Sequence, residues 1–379
     1  MVLSDYFNPI DYPVSIKGKY LPEKLTLGNY INENNKELAN LGYNNINTAI
    51  IGVPVQNGRL QKKGYSSPDL IRKELYSLSL FETNLKIVDL GNLKPSKSVK
   101  GTMLALRDII EYLRKQHITT VVIGGSQDLT FGICQAFKDE KFFWLSVIDA
   151  AYDGFTLNRT SKSTNYLSSI LKDNPELFQF SLIGYQQHLT GDMFPGITKN
   201  QGSHLRLGEL RTDIQQAEVL LRNSNVVSFD ISSLKHHEAP AASKKNPNGL
   251  YGEEACQLAL YAGMSQKLEV FGIFEMLPVK KDIVSTAITA EIIWYFLKGL
   301  SNRPSENIET AYKVEIEGME APIVFRHDWE LDRWWIEIDT ESGEVIKIAC
   351  SEKDYQQAAG NEIPERWLHF IQKMDSMSK

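Results

Sequence analysis

Thr119-Thr120-Val121-Val122-Ile123-Gly124-Gly125-Ser126-Gln127-Asp128 is the stretch on which the fold turns. Its first five residues are all β-branched with no polar alternation, so a strand made from them must be covered on both faces, as inside a parallel sheet. Helical spacing precedes it over Met103 to His117 and resumes after it over Leu129 to Phe137.

The same grammar runs outward in both directions. Strands are expected at Ala49 to Val55, Lys86 to Leu90, Phe142 to Asp149, Phe180 to Gly184, Val226 to Ile231 and Leu268 to Phe274. Helices are expected at Asp69 to Leu80, with Ser67-Pro68 as cap and first-turn proline, and at about Thr212 to Leu221, Glu253 to Ser265 and Val284 to Leu300. The series predicts a three-layer α/β/α domain over residues 1–302 around a mainly parallel sheet of about eight strands, with ligands outside the carboxyl ends of the strands. After Ser301-Asn302-Arg303-Pro304 the pattern changes. Tyr312 to Ile316, Pro322 to Arg326, Arg333 to Ile338 and Val345 to Ile348 alternate like a small antiparallel sheet, and a helix begins at Pro364 with Trp367, Phe370 and Ile371 on one face. Residues 303–379 are therefore expected to be an appended α+β extension.

Composition narrows the classes of function. A net charge of -6 and a pI near 5.8 disfavour a nucleic-acid binder relying on phosphate attraction. The longest apolar runs are interrupted by charge and fall short of the roughly 20 residues that span a bilayer, and the N-terminus lacks the basic and apolar regions of a signal peptide, so the cytoplasm is the expected location. Cys134, Cys256 and Cys350 are odd in number and widely spaced, which suits buried free thiols.

Three strand ends carry the chemistry. Val147-Ile148-Asp149-Ala150-Ala151-Tyr152-Asp153 hangs two carboxylates four residues apart from a strand, as dimetal sites do, but between them Ala151 has no atom that can donate to a metal. The others are Gly124 to Asp128 and Ser228-Phe229-Asp230-Ile231-Ser232-Ser233-Leu234. In order and spacing, and with Ile51-Gly52-Val53-Pro54, Ser67 to Arg72, Ala239-Pro240 and Glu275, they resemble the ureohydrolase family of arginase, agmatinase and formimidoylglutamase over roughly residues 45–302. The whole chain looks most like a degenerate arginase-family protein of Bacteroidetes type.

That resemblance implies a binuclear manganese site with six ligands. Asp149, Asp153 and Asp230 match three of them, whereas Gln127 and Ala151 stand at the two imidazole positions and Ser232 at a fourth carboxylate. Two divalent ions bring four positive charges, and their joint effect on a bridging water creates the hydroxide nucleophile. Three carboxylates and no imidazole predict a dismantled site with no cofactor, the alternatives being Mn2+ or a single Mg2+ or Ca2+. In an active relative Asp153 and Glu275 would be catalytic and Glu275 would orient the substrate's guanidinium; otherwise Glu275 is a polar strand-end residue bonded to backbone.

Other residues offer weaker alternatives. Asp128 reads as an N-cap or first-turn residue, with metal ligation as the competing role. His236 and His237 read as loop residues rather than replacement ligands. Trp329, Trp334 and Trp335, beside Arg326, Asp332 and Arg333, suit either the core of a small sheet or a protein-binding surface within 305–379. Two functions follow: a non-catalytic pseudoenzyme serving as a binding or scaffold protein, or a metal-dependent hydrolase of linear C–N bonds such as a formimidoylglutamase, agmatinase or arginase. The resemblance further implies a homo-oligomer; no nucleic acid and no membrane insertion are expected.

Overall fold

The computed structural model describes residues 3–10, 18, 21–41, 46–96, 98–154, 164–174, 177–190, 202–304, 310–340 and 343–377. Its strands are β1 (Phe7–Asn8), β2 (Thr48–Gly52), the hairpin pair β3 (Val55–Gln56) and β4 (Arg59–Leu60), β5 (Ile87–Leu93), β6 (Thr119–Ile123), β7 (Phe143–Ile148), β8 (Leu177–Tyr185), β9 (Gly202–Arg206), β10 (Val226–Asp230) and β11 (Val270–Phe274), then β12 (Thr310–Val314), β13 (Ile323–Asp328), β14 (Arg333–Asp339) and β15 (Val345–Cys350).

The main sheet runs β1-β5-β2-β6-β11-β10-β7-β8-β9. Eight of these strands are mutually parallel, and the two-residue β1 adds an antiparallel edge to β5. Every residue of β6 is buried, as its β-branched run requires. Two apolar cores cover the faces of the sheet. One contains Ile50, Val121 and Phe229, and the other Ile51, Val122 and Val147. From β6 the chain crosses over β11 and β10 to reach β7, which creates a switch in strand order where ligands of open α/β sheets bind. Register aligns the strand ends there: Ile123 pairs with Ile273, Phe274 with Asp230, and Phe229 with Ile148.

Local chemistry explains most boundaries. Helix Ser67–Ser77 is capped by Ser66, not Ser67, in a reciprocal box with Asp69, while Pro68 occupies its first turn. The helix expected over Thr212 to Leu221 is two, Leu207–Thr212 and Gln215–Arg222, broken where Asp213 adopts non-helical angles. Helix Ile283–Ser301 is long and apolar enough to cross a membrane, which the interrupted sequence runs did not suggest. It packs in the core against helix Gly252–Gly263 instead. A Cβ at Gly263 would lie 2.2 Å from the Phe296 carbonyl, and one at Gly299 2.3 Å from the Leu260 carbonyl, so glycine lets the two backbones meet. All three cysteines are buried and none is in a disulfide. Helix Leu27–Leu41, β9 and helix Glu352–Ala359 had no counterpart in the sequence expectations.

Strands β12 to β15 form a separate antiparallel sheet in sequential order. Its core, with Phe325, Ile336 and Ile348, also includes Trp144 and Phe178, each the second residue of its strand in the main sheet. Phe370, from the last helix Glu365–Met377, stacks 4.7 Å from Phe178 and 6.3 Å from Trp144. Arg222 donates to the carbonyls of Trp334 and Cys350 from the helix end preceding β10. The C-terminal unit thus docks at the amino ends of the strands, opposite the carboxyl ends that carry the aspartates. Trp334 lies inside this unit, stacked on His327 and Tyr355, whereas Trp329 is exposed. Phe370→Ala should cost about 3 kcal/mol in urea unfolding by leaving an aromatic cavity at this junction; an unchanged midpoint would show that the ring does not hold the unit in place.

Candidate metal centre

Asp149 follows β7 directly, Asp153 lies one turn further on, and Asp230 ends β10, the neighbouring strand. Adjacent parallel strands therefore deliver all three carboxyl groups to one spot, where each offers an oxygen within 4.8 Å of the others. Asp149 and Asp230 are fully buried and Asp153 nearly so. Backbone fixes two of them: Ala151 N–H donates to Asp149 Oδ1 at 3.2 Å and Ser232 N–H to Asp230 Oδ1 at 2.6 Å. The second oxygens, Asp149 Oδ2 and Asp230 Oδ2, have no hydrogen-bond partner among the described residues.

A cation already faces those oxygens. Lys244 Nζ is 2.7 Å from Asp153 Oδ2, 3.7 Å from Asp230 Oδ2 and 3.9 Å from Asp149 Oδ2. Burial alone would lower the pKa of this ammonium, but the charges of Asp149, Asp230 and Asp153 outweigh burial and raise it, so the group stays protonated. The carboxyl groups are shifted upward too, Asp149 furthest, because burial and the neighbouring Asp230 charge disfavour its ionisation. Asp153 and Asp230 are raised chiefly by burial, against the pull of Lys244.

The loop carrying Lys244 is tied down through Ser232. The Ser232 hydroxyl accepts from Lys244 N–H at 3.2 Å, and its carbonyl accepts from the Asn246 amide at 2.8 Å. Ser232 thus holds in place the loop that brings a positive charge to the carboxylates.

Glu275 follows β11 at φ 68, a left-handed conformation uncommon outside glycine, and is buried. Its carboxylate accepts from Gln127 N–H at 2.7 Å and from the Gln56 amide of the β3–β4 hairpin at 3.0 Å. It is bonded to backbone at a strand end, as one of its two expected roles describes, and lies close enough to Asp230 and Lys244 to feel their charges. Gln127 is fully buried; its amide nitrogen is 3.3 Å from the Ser228 hydroxyl, and its carbonyl oxygen has no partner among the described residues. Gly125 is required here, since a Cβ would fall 2.0 Å from the Val55 carbonyl.

The Ala151 side chain has no atom that could ligate a metal. Asp128 occupies the expected N-cap position without a side-chain capping bond, and its carboxylate accepts from the Ser126 hydroxyl at 2.5 Å. Neither Asp128 nor His236 nor His237 joins the carboxylate cluster, and His237 is exposed beside Glu238. Lys244, Gln56 and Tyr166 were not anticipated. Tyr166 is fully buried, and burial together with the three aspartate charges raises its phenol pKa. No local pattern marks Lys244, one of two adjacent lysines in a polar loop.

A family model described as the arginase family matches residues 46–298. A formimidoylglutamase from Salmonella paratyphi C is 22% identical over 259 residues, 64% of this chain and 80% of that protein. Among solved structures, a Trypanosoma cruzi formiminoglutamase with Mn2+ superposes with a TM-score of 0.63 at 20% identity, covering 68% of this chain and 95% of that one. The formimidoylglutamase of Bacillus subtilis gives 0.59 at 17% identity over 80% of this chain and 92% of that one. The expectation of no cofactor is overturned: a manganese-bearing structural neighbour and a buried cluster of three carboxylates able to hold a metal point to Mn2+.

The donor set tests that fit. Two orphaned carboxylate oxygens and a third carboxylate are hard oxygen donors of the kind Mn2+ accepts. They fit one such ion. Among the described residues a pair would face three carboxylates with no imidazole to complete either coordination sphere.

Burial and the Asp230 charge raise the Glu275 carboxyl from its ordinary 4.5 to about 7. The folded chain therefore binds more protons than the unfolded chain between these values, and stability falls as pH rises from about 4.5 through 7. The shift amounts to a loss of about 3 kcal/mol. Glu275→Gln should flatten this dependence by a comparable amount in urea titrations at the two ends of the window; equal slopes for variant and wild type would contradict it.

Proposed function

This chain belongs to the arginase family, and from that premise we propose that it is a formimidoylglutamase-like protein whose pocket exchanges a single Mn2+ for the Lys244 ammonium and binds its ligand without two-metal hydrolysis. The observation that carries this reading is Lys244 Nζ within 4 Å of Asp149, Asp153 and Asp230. A side chain and an ion seeking the same three oxygens exclude one another.

A bound Mn2+ would act as a Lewis acid toward a ligand's oxygen or nitrogen. The chain's own residues supply the rest. Asp149, Asp153 and Asp230 would hold the ion, and Lys244, whose side chain is 30% exposed, can swing outward to admit it. Glu275, held by Gln127 N–H and the Gln56 amide, would orient a cationic amidine or guanidine group in the pocket. Nothing at Ala151 or Gln127 replaces the nitrogen donors that a second ion would need. An ammonium can balance one negative charge, but it cannot ionise water by coordination.

Lys244→Ala should destabilise the metal-free protein by roughly 3–5 kcal/mol, the cost of leaving buried carboxylates without a counter-charge. Added Mn2+ should raise the melting temperature of this variant by more than that of the wild type. An equal response in both proteins would remove the exchange from the reading.

Calorimetric titration of the wild type with Mn2+ should give no more than one ion per chain, and the loaded protein should release no formamide, ammonia or urea from formimidoylglutamate, agmatine or arginine. Two ions, or turnover of any of these compounds, would establish the alternative, a metal-dependent C–N hydrolase. Combining Gln127→His, Ala151→His and Ser232→Asp with Lys244→Ala should restore a second ion, because strand ends rather than ligands set the geometry. Failure to gain it would mean the pocket no longer has room for a pair.

A further inference from the structure

The hairpin β3–β4, which follows β2, and the segment joining β11 to helix Ile283–Ser301 meet at the carboxyl ends of the strands. Hydrogen bonds hold them together. Ser67 Oγ donates to the Met276 carbonyl at 2.6 Å, Gln61 accepts from Ser67 N–H at 2.8 Å, and Lys280 Nζ lies 6.0 Å from the centre of the Tyr65 ring.

The outer face of this pair of segments is both apolar and basic. Leu60 is 54% exposed, Val279 46%, Ile283 62% and Val284 54%. Beside them Arg59, Lys62, Lys63, Lys280 and Lys281 are all exposed. Over residues 57–65 and 277–284 the only carboxylate is Asp282, which is turned to the helix end and accepts from Ser285 N–H at 3.1 Å. Five cations against one carboxylate leave a surplus of four positive charges here, in a chain whose net charge is -6.

Composition decides which partner fits. Protein interfaces are poor in lysine and rich in aromatic residues, whereas these segments carry four lysines, one arginine and a single aromatic ring, Tyr65. Nucleic acid would meet the cations but leave the four aliphatic side chains without a role. Aliphatic chains interleaved with lysines suit an anionic bilayer, because the apolar groups enter the acyl boundary while the ammonium groups stay level with the phosphates.

We propose that this face docks on the surface of a bilayer rich in anionic phospholipid. The contact is peripheral: only the first turn of helix Ile283–Ser301 meets the lipid, and the rest of that helix stays packed against helix Gly252–Gly263. The docking hairpin is also the one whose Gln56 amide holds Glu275, so the membrane lies beside the Glu275 end of the candidate metal centre.

The test is co-sedimentation of the full chain with vesicles of phosphatidylcholine, alone or with about one-third phosphatidylglycerol. Binding to the anionic vesicles only is expected, and it should fall with added salt as the Debye length shrinks from about 10 Å at 0.1 M to about 3 Å at 1 M. Lys62→Gln with Lys63→Gln should weaken partition about thirtyfold, each cation near an anionic surface being worth about fivefold. Lys138→Gln with Lys141→Gln removes the same charge from exposed positions before β7, at the opposite ends of the strands, and should leave partition within about twofold of wild type. Ile283→Ser should weaken it about tenfold without moving the melting temperature, because the side chain already stands in solvent. Equal binding to both vesicle types, no binding to either, equal losses from the two lysine pairs, or indifference to Ile283→Ser would each overturn the proposal. So would self-association of the lipid-free chain that Ile283→Ser abolishes, which would make the face a contact between copies. Saturable binding of poly-glutamate without vesicle binding would overturn it in favour of an acidic protein.

Discussion

Three carboxyl groups buried at the ends of neighbouring strands cannot stay ionised there without positive charge, and in this protein the Lys244 ammonium supplies it. Much of the local architecture serves that contact. Ser232 anchors the loop by its hydroxyl and carbonyl, the backbone N–H groups of Ala151 and Ser232 each occupy one oxygen of an aspartate, and the remaining oxygens turn toward the cation. The raised carboxyl pKa values show that the compensation is incomplete: burial still favours protons on Asp149, Asp153 and Asp230. An incompletely neutralised pocket of hard oxygen donors is one a divalent ion can enter, provided the lysine leaves.

The two ends of the sheet have separate tasks. At the carboxyl ends, the crossover from β6 to β7 leaves β11 and β10 between them, so Gly125, Glu275, Asp230 and Asp149 follow one another across four adjacent strands. At the amino ends, Trp144 and Phe178 extend beyond the main cores into the core of the C-terminal sheet, where Phe370 covers them. The C-terminal unit therefore leaves the aspartate cluster uncovered by its own residues and bounds a polar cavity at the opposite end, where Glu218 is shared between Arg222 and Arg333.

Much of the fold was legible because its determinants are local. The β-branched run Thr119–Ile123 predicts a doubly covered strand without knowledge of its neighbours, and Pro68 marks a first helical turn by geometry alone. Helix Leu27–Leu41 was not legible: it has few strong apolar positions, with polar Asn34 buried where it donates to the Ile87 carbonyl. Strand β9 is another such case, since only Leu205 of its five residues is buried and its pairing with β8 does the rest. Asp128 sits at the expected N-cap, but whether its side chain caps depends on neighbours such as Ser126.

By itself the sequence determined the α/β architecture, the placing of Asp149, Asp153 and Asp230 at strand ends, and the lack of any ligating atom on the Ala151 side chain, since strand ends and side-chain chemistry are written residue by residue. Only the tertiary structure decided what faces the aspartates. Lys244 is 14 residues beyond Asp230 and 91 beyond Asp153, in a polar loop with no periodicity, and its Nζ reaches the cluster through hydrogen bonds to Ser232 that no spacing rule encodes. Charge compensation in a buried site depends on distance in space, and the chain order leaves that distance unspecified until the sheet has formed.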